Sequence, residues 1–547
     1  MDSNTKAIPS GSILAIKCPP KIWRPKAPDL YVPIDYSNDI DDDLLIHAYE
    51  NFGKSKTAYK SESWNPGSPR TDLIKYDAAR DDDEIKSSFK INPDCSTEIR
   101  SRILSIIHKY WDCFCKRGVS RPILGFEFGI DTGASRPVCC RKPQYGFHEK
   151  SIIMDQVEAL KKSGLIEECQ GPWGSLIVLA PKPHQEHVEN IDDFIWRMCV
   201  SYRKLNSVTK PFSYPIPRCD DAIDTLGPVG SAKLYFITLD ARQGYHQIAV
   251  KKEDREKLAF FAPDDKKYTY RVMPFGPTNA PAYYTFMMRG FQEEWTILFI
   301  IKVRELAATN PAIRVDQNDT IFWSDEEVVY GAIFDVTKEE KVVHGSRSII
   351  DDILLWCNIQ SLLIVLLECV CEIFLKYRVS FRLDKCEFFM DRVEYVGHDI
   401  TAEGNCPAKS KFNLVEDWKL PDSGESLHSF IGLINFYHRY IPYFEMKIKP
   451  LRRLEKVYRR SHIPLLAWTE ETIRLFHQCK EDMTSSPVLQ RYDPEKICVL
   501  KTDWSAEGMG WILLQPANDK EAQLAMKTLE ETLKIINGEV MIIFSHL

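Results

Sequence analysis

The sequence predicts an α+β fold, and three stretches carry that prediction. The first is Leu234–Leu239, a short apolar run with aromatic and β-branched residues that reads as a buried strand delivering Asp240 to its end. The second runs from Gln247 to Pro281. Here Gln247–Val250 and Tyr268–Val272 read as further strands joined by the charged segment Lys251–Lys257. Pro274, Gly276 and Pro281 then punctuate a tight turn before a helix that buries Met287, Phe291 and Trp295. The third lies far downstream, where Ile349–Leu355 sets Asp351 and Asp352 between two apolar runs, the pattern of a hairpin with acids at its tip.

One acid at a strand end and a pair at a hairpin tip is what two-metal phosphoryl transfer requires. Two ions roughly 3.5–4 Å apart need several hard oxygen ligands brought from separate strands to one point. An isolated Asp-Asp pair is ordinarily a turn or a cap, so the surrounding motifs decide its meaning. WRMCVSYRKLN, LDARQGYHQI, MPFGPTNAP and the acid pair follow one another along the chain. In that order they resemble the polymerase of long-terminal-repeat retrotransposons of the Ty3/gypsy class, over roughly Asp131 to Gln515.

The resemblance implies a right-hand polymerase of fingers, palm and thumb, with a truncated RNase H-like α/β element at the C-terminal end. It implies RNA-directed DNA synthesis, with dNTPs and an RNA or DNA template-primer as partners. Two Mg²⁺ (or Mn²⁺) ions would be held by Asp240 and Asp351, with Asp352 as an auxiliary carboxylate. Arg197 and Lys182 are candidate grips for the incoming triphosphate, since Arg forks onto phosphate oxygens and Lys supplies a point charge. Tyr245 would lie beneath the sugar and select deoxynucleotides by sterics, while Phe275 and Gly276 would pack on the nascent base pair. Tyr395 and Gly397 fall in the counterpart of the primer-gripping hairpin. Lys447, Arg452 and Arg453 open a basic run that either contacts phosphates by counterion release or forms a solvated helix face.

Composition sets the bounds around these motifs. With 547 residues, 44% of them hydrophobic, there is material for several cores. The net charge of −7 argues against a chain basic throughout, so nucleic acid would be held by local patches. The 16 cysteines include no CxxC pair and read as reduced thiols, with zinc disfavoured. The N-terminus lacks a signal pattern, and Ser361–Leu367 is too short an apolar run to span a membrane. The expected location is the cytoplasm, in a virus-like particle, or the nucleus, and not the secretory route. The oligomeric state is left open.

Residues 1–95, with Pro-rich KCPPKIWRPKAPDLYVP and two acid runs, are expected to form a partly disordered linker. Residues 96–150 hold a connector helix, from the spacing of Ile99, Ile103, Ile106 and Tyr110, and the entry to the fingers. Fingers and palm occupy 151–400, thumb and connection 401–485, and the RNase H-like region 486–547. Asp131-Thr132-Gly133-Ala134-Ser135 also matches the active-site loop of retroviral-type aspartic proteases. That function needs a long β-rich stretch afterwards and a second aspartate from a dimer, whereas the chain enters a helix with Ile153, Val157 and Leu160 on one face.

Two departures from the family bear on the site. Residues 289–348 intervene before the acid hairpin, with Ile321–Trp323 and Val328–Val336 reading as strands of an added β element. Ile349 stands where the family has an aromatic residue, and Val342–Ser348 is more polar than a buried palm strand should be. A relic that binds nucleic acid or a partner without polymerising is the alternative reading. Beyond Ile497, ICVLKTDWSAEGMGWILLQ looks like the first hairpin of a ribonuclease H domain with Asp503 at its first metal position. No second acid matches, so no ribonuclease H activity is expected.

Overall fold

The computed structural model describes residues 13–16, 89–114, 122–181, 196–224, 226, 233–310, 313–315, 333–335, 340–441, 443–485, 498–505 and 508–514. Its central sheet is built from strands far apart in the chain: β1 (Lys90–Ile91), β2 (Tyr235–Asp240), β3 (His344–Ile349), β4 (Asp352–Cys357) and β5 (Glu387–Met390). They lie in the order β3-β4-β2-β5-β1. β4 is antiparallel to both β3 and β2, β5 is antiparallel to β2, and β1 joins β5 in parallel.

β2 and β4 are central and therefore apolar on both faces. Ile237 and Leu239 of β2, with Ile353, Leu355 and Cys357 of β4, join the main core. Phe236, Leu354 and Trp356 point the other way, onto Ala222, Ile223, Val393, Tyr395 and Ile400. The longer helices are α1 (Thr97–Lys109), α2 (Phe147–Lys162), α3 (Ala280–Thr309), α4 (Gln360–Tyr377), α5 (Gly424–Phe436), α6 (Phe444–Tyr458) and α7 (Glu470–Thr484). α3 and α4 fill the main core with Met287, Phe291, Trp295, Leu363, Leu367 and Phe374.

Two readings change in the fingers and palm. Gly244–Gln247 is a 3-10 turn, not the start of a strand, and only Ala249–Val250 is extended. The cause is Gln247, fully buried, whose amide donates to the carbonyls of Arg242 (2.8 Å) and Ser380 (2.9 Å) and accepts from the Ser380 N–H (2.8 Å). The intervening segment is also shorter than 289–348. α3 runs unbroken to Thr309, and β3 resumes at His344. Between them Ile313–Val315, Ile333–Asp335 and Glu340–Lys341 form a small antiparallel sheet, while Ile321–Trp323 lies outside the described residues.

The polarity of β3 has a structural partner in α3. Gln292 donates to the Ser346 carbonyl (2.9 Å) and accepts from the Ser348 hydroxyl (3.1 Å), and the Trp295 indole N–H donates to Ser346 Oγ (2.9 Å). The buried serines are thus satisfied.

α5, α6 and α7 pack on a core of their own, including Leu427, Phe430, Ile434, Ile448, Leu451, Phe476 and Met483. At the chain's far ends, Ile13–Ile16 pairs antiparallel with Cys498–Ser505, which forms a hairpin with Gly508–Leu514. The described cysteines between Cys95 and Cys479 are free thiols, and no helix among the described residues is long and apolar enough to cross a membrane.

Candidate active site

The sheet register brings the acids together. Asp352 is the direct cross-strand partner of Asp240, and Ile349 pairs with Asp352, leaving Ile350-Asp351 as a two-residue turn. Ile350 takes the left-handed conformation (φ 51°) that this tight reversal demands. The Ala241 N–H donates to the Asp351 carbonyl (3.0 Å), and the Arg382 N–H donates to that of Asp240 (2.9 Å). A slip of one residue would turn the β4 side chains to the opposite face, and burial on both sides prevents it. Ile349 is buried beside Phe236, Leu354 and Tyr395, so its aliphatic side chain fills core.

Charge is concentrated here. Burial raises the pKa of Asp351, with Asp240 adding to it. Asp352 is pushed up to about 6 by burial, then by Asp351 and Asp240. Lys385 opposes both shifts and sits with Nζ 2.9 Å from Oδ2 of Asp240. Three carboxylates from adjacent strands are the hard-oxygen donor set that Mg²⁺ or Mn²⁺ takes, and the raised pKa values mark negative charge that a divalent ion would relieve. The residues therefore fit such an ion in the chemistry of their donors. Among the described residues, however, no three acidic, histidine or cysteine side chains converge closely enough to hold one.

Beside the acids, Tyr245 is buried and its ring stacks on Phe275 at 4.8 Å. Phe275 is 63% exposed, a large apolar ring left open to whatever enters the cleft. Burial raises the Tyr245 pKa to about 12, and the charge of nearby Asp351 adds to it. Gly276 has φ 108°, and a Cβ there would meet the Tyr202 ring at 3.2 Å and the Val200 carbonyl at 3.3 Å, so glycine is required. Asn206 and Asn279 fasten this turn: Asn206 Nδ2 donates to the Gly276 carbonyl (3.0 Å), and Asn279 bridges Phe212 and Lys210.

Other candidates are placed differently from one another. Arg197 is exposed in strand Trp196–Ser201, opposite Ala180, and Lys182 lies outside the described residues. Gly397 (φ 82°) makes the turn of the hairpin Arg392–Tyr395/His398–Thr401, and its carbonyl accepts from the Tyr437 hydroxyl (2.8 Å). Tyr395 is a correction: it is 2% exposed, packs against Leu354 and Trp356, and its hydroxyl donates to the Arg347 carbonyl. Lys447 is another, being buried in an ion pair with Asp482 that ties α6 to α7 rather than offering a charge to phosphate. Arg453 is exposed on α6, and Arg452 is held by Glu445 (3.1 Å) and Asn435 (2.9 Å). Asp503 lies opposite Gly510 in its hairpin. Asp131 is exposed and ion-paired with Lys210 (2.9 Å) in a loop that leads into α2. Sequence reading missed Lys385 and Gln247, since each meets its partners only through the fold.

A sheet with three acids at one end, covered by two helices and followed by a separate helical unit, is the architecture of the right-hand polymerase fold. Residues 192–306 match the family model of reverse transcriptase (RNA-dependent DNA polymerase), and residues 468–532 that of the RNase H-like domain found in reverse transcriptase. The first match ends near the end of α3, where the added sheet begins. The chain is 26% identical over 432 residues to the retrovirus-related Pol polyprotein from transposon 412 of Drosophila melanogaster, covering 78% of this chain and 30% of that protein. To the transposon Tf2-3 polyprotein of Schizosaccharomyces pombe it is 25% identical over 400 residues, 73% of this chain and 25% of the relative. Among solved structures, the foamy viral protease-reverse transcriptase in complex with dsDNA aligns with a TM-score of 0.57 at 18% identity, covering 83% of this chain and 85% of that one. Two segments of the chain thus match reverse transcriptase and RNase H-like family models, and the relatives named are transposon polyproteins. It spans about a third or less of the length of the relatives named.

Proposed function

We propose that this chain is an RNA-directed DNA polymerase of a retrotransposon, extending a primer on an RNA or DNA template with dNTPs. The observation that carries the reading is the pairing of Asp240 with Asp352 beside the Asp351 turn, kept in register despite the segment inserted upstream. Asp240 and Asp351 would hold two Mg²⁺ or Mn²⁺ ions with Asp352 as an auxiliary carboxylate. Bound there, such ions would lower the pKa of the primer 3′-hydroxyl and neutralise charge on the triphosphate. Tyr245, backed by Phe275, gives a rigid surface against which a ribose 2′-hydroxyl would clash. Gly276 lets the backbone approach the base pair, and Arg197 is the described candidate for a phosphate contact. Arg452, Arg453 and the Gly397 hairpin are the candidates for holding the duplex. Such an enzyme works in a cytoplasmic virus-like particle or in the nucleus.

Primer extension on poly(rA)/oligo(dT) with dTTP and Mg²⁺ tests the reading. The wild-type chain extends the primer, and Asp351→Ala lowers the rate by about 10²- to 10³-fold, the size of a lost electrostatic contribution in the transition state. Template binding without extension by either protein would reduce the palm to a nucleic-acid-binding relic.

A further inference from the structure

The acids are reached by a charged group from outside the two strands that carry them. Lys385 ends the 3-10 turn Leu383–Lys385, immediately ahead of β5, and its ammonium lies 2.9 Å from Oδ2 of Asp240. The turn is fixed to the acid by its backbone. The Arg382 N–H donates to the Asp240 carbonyl (2.9 Å), and the Lys385 N–H closes the turn on the Arg382 carbonyl (2.9 Å). The guanidinium of Arg382 is committed to Asp384 (2.6 Å), so it does not compete for Asp240. Asp240 is one-fifth exposed while Lys385 is half exposed. The anion is therefore held in place, and the cation sits on a flexible four-carbon stem with room to leave.

We infer that Lys385 is a built-in counter-ion of the metal site: it occupies the Asp240 oxygen in the absence of a divalent ion and must yield for one to bind. The inference rests on reading the three acids as a metal site. An ammonium and a divalent cation cannot share that oxygen without strong repulsion, so the lysine lowers cation affinity until it swings aside. Charge on the lysine is thus a determinant of how readily the site takes up metal before nucleotide arrives.

The test is Mn²⁺ binding to the full chain without nucleotide or template, followed by the electron paramagnetic resonance signal of free Mn²⁺. Lys385→Gln binds Mn²⁺ roughly three- to tenfold more tightly than wild type, the range expected for removing one partly exposed competing charge. Lys385→Arg, which keeps the charge, stays near wild type, and Asp240→Asn in the Lys385→Gln background abolishes the gain. Unchanged or weaker Mn²⁺ binding by Lys385→Gln overturns the inference, as does a gain that survives Asp240→Asn. A wild type that extends primers while Lys385→Gln shows no gain leaves the polymerase standing and removes the counter-ion. A gain through Asp240 in a chain that extends nothing does the reverse.

Discussion

His246 follows Tyr245 and lies between two rings, with centroids 6.1 Å from Tyr270 and 5.8 Å from Phe275. Its Nδ1 is sealed from solvent with no hydrogen-bond partner among the described residues, and burial pulls its pKa down to about 4. An unfolded chain takes up that proton near pH 6.5. Between these values the unfolded state binds more protons, so stability falls as pH drops from about 6.5 to about 4. The loss is at most about 3 kcal/mol, and less to the degree that the ring edge reaches solvent. His246→Phe should remove this part of the acid sensitivity, measured as the urea midpoint at pH 7 and pH 4.5. Equal shifts in both proteins would place the acid sensitivity elsewhere. That Asp240, Asp351 and Asp352 lie side by side was legible in the sequence because each sits in a local pattern, a strand end or a hairpin tip. Lys385 was not, since 145 residues separate it from the acid it pairs with. Tyr395 and Lys447 were misread although local periodicity was informative. Val393 and Tyr395 share one face of a strand, and Lys447 falls on the stripe Phe444, Ile448, Leu451 that α6 buries.

At the scale of elements, the acid hairpin depends on α3. Ser346 and Ser348 are buried in β3, and Gln292 answers both, with Trp295 completing the set. Gly345 serves the same packing, because a Cβ there would lie 2.4 Å from the Trp356 ring across the ladder. Gln292→Leu keeps the volume but leaves the Ser348 hydroxyl and the Ser346 carbonyl without this partner, a cost of about 1–3 kcal/mol. The expected result is a lower melting temperature together with weaker primer extension, because the strand that loosens is the one leading to Asp351. A variant with wild-type melting and activity would show that the hairpin holds its register without α3. The same contacts explain why the sequence left this strand in doubt. A polar strand conforms to the hydrophobic pattern only when its partner is known, and here the partner is a helix face some fifty residues upstream. The extent of the insertion was equally hidden, since α3 continues through Phe299 and Val303 with no break in apolar spacing to mark where the family ends.

For the whole molecule, the question is how the helical unit α5–α7 is joined to the sheet that carries the acids. The two have separate cores, so movement between them costs no core packing. Their joint is a compact set of polar and aromatic contacts around the hairpin Arg392–Thr401. The His398 ring lies among Phe436, Tyr437 and Tyr440 at 5.3–5.6 Å, and the Tyr437 hydroxyl donates to the Gly397 carbonyl (2.8 Å). Asn405 Nδ2 donates to the Tyr440 hydroxyl (2.7 Å). Arg439 then reaches across to helix Cys219–Asp224, its Nη1 donating to Asp220 (3.1 Å) and its Nη2 to both oxygens of Asp224 (3.0 Å). Of these contacts, Arg439 alone bridges to the helix that packs directly under β2, through Ala222 and Ile223 against Phe236. These charge-assisted contacts, with a quarter of the arginine but more than half of Asp224 exposed, are together worth about 1–1.5 kcal/mol. Arg439→Gln should therefore loosen the joint without unfolding either unit. Hydrogen exchange of the full chain should quicken by about tenfold at residues 219–224 and 436–441, for a loss near 1.4 kcal/mol, while β2 and β4 stay protected. Acceleration throughout the sheet would mean that the arginine supports the palm itself, and unchanged exchange would mean that the aromatic contacts around His398 hold the joint alone.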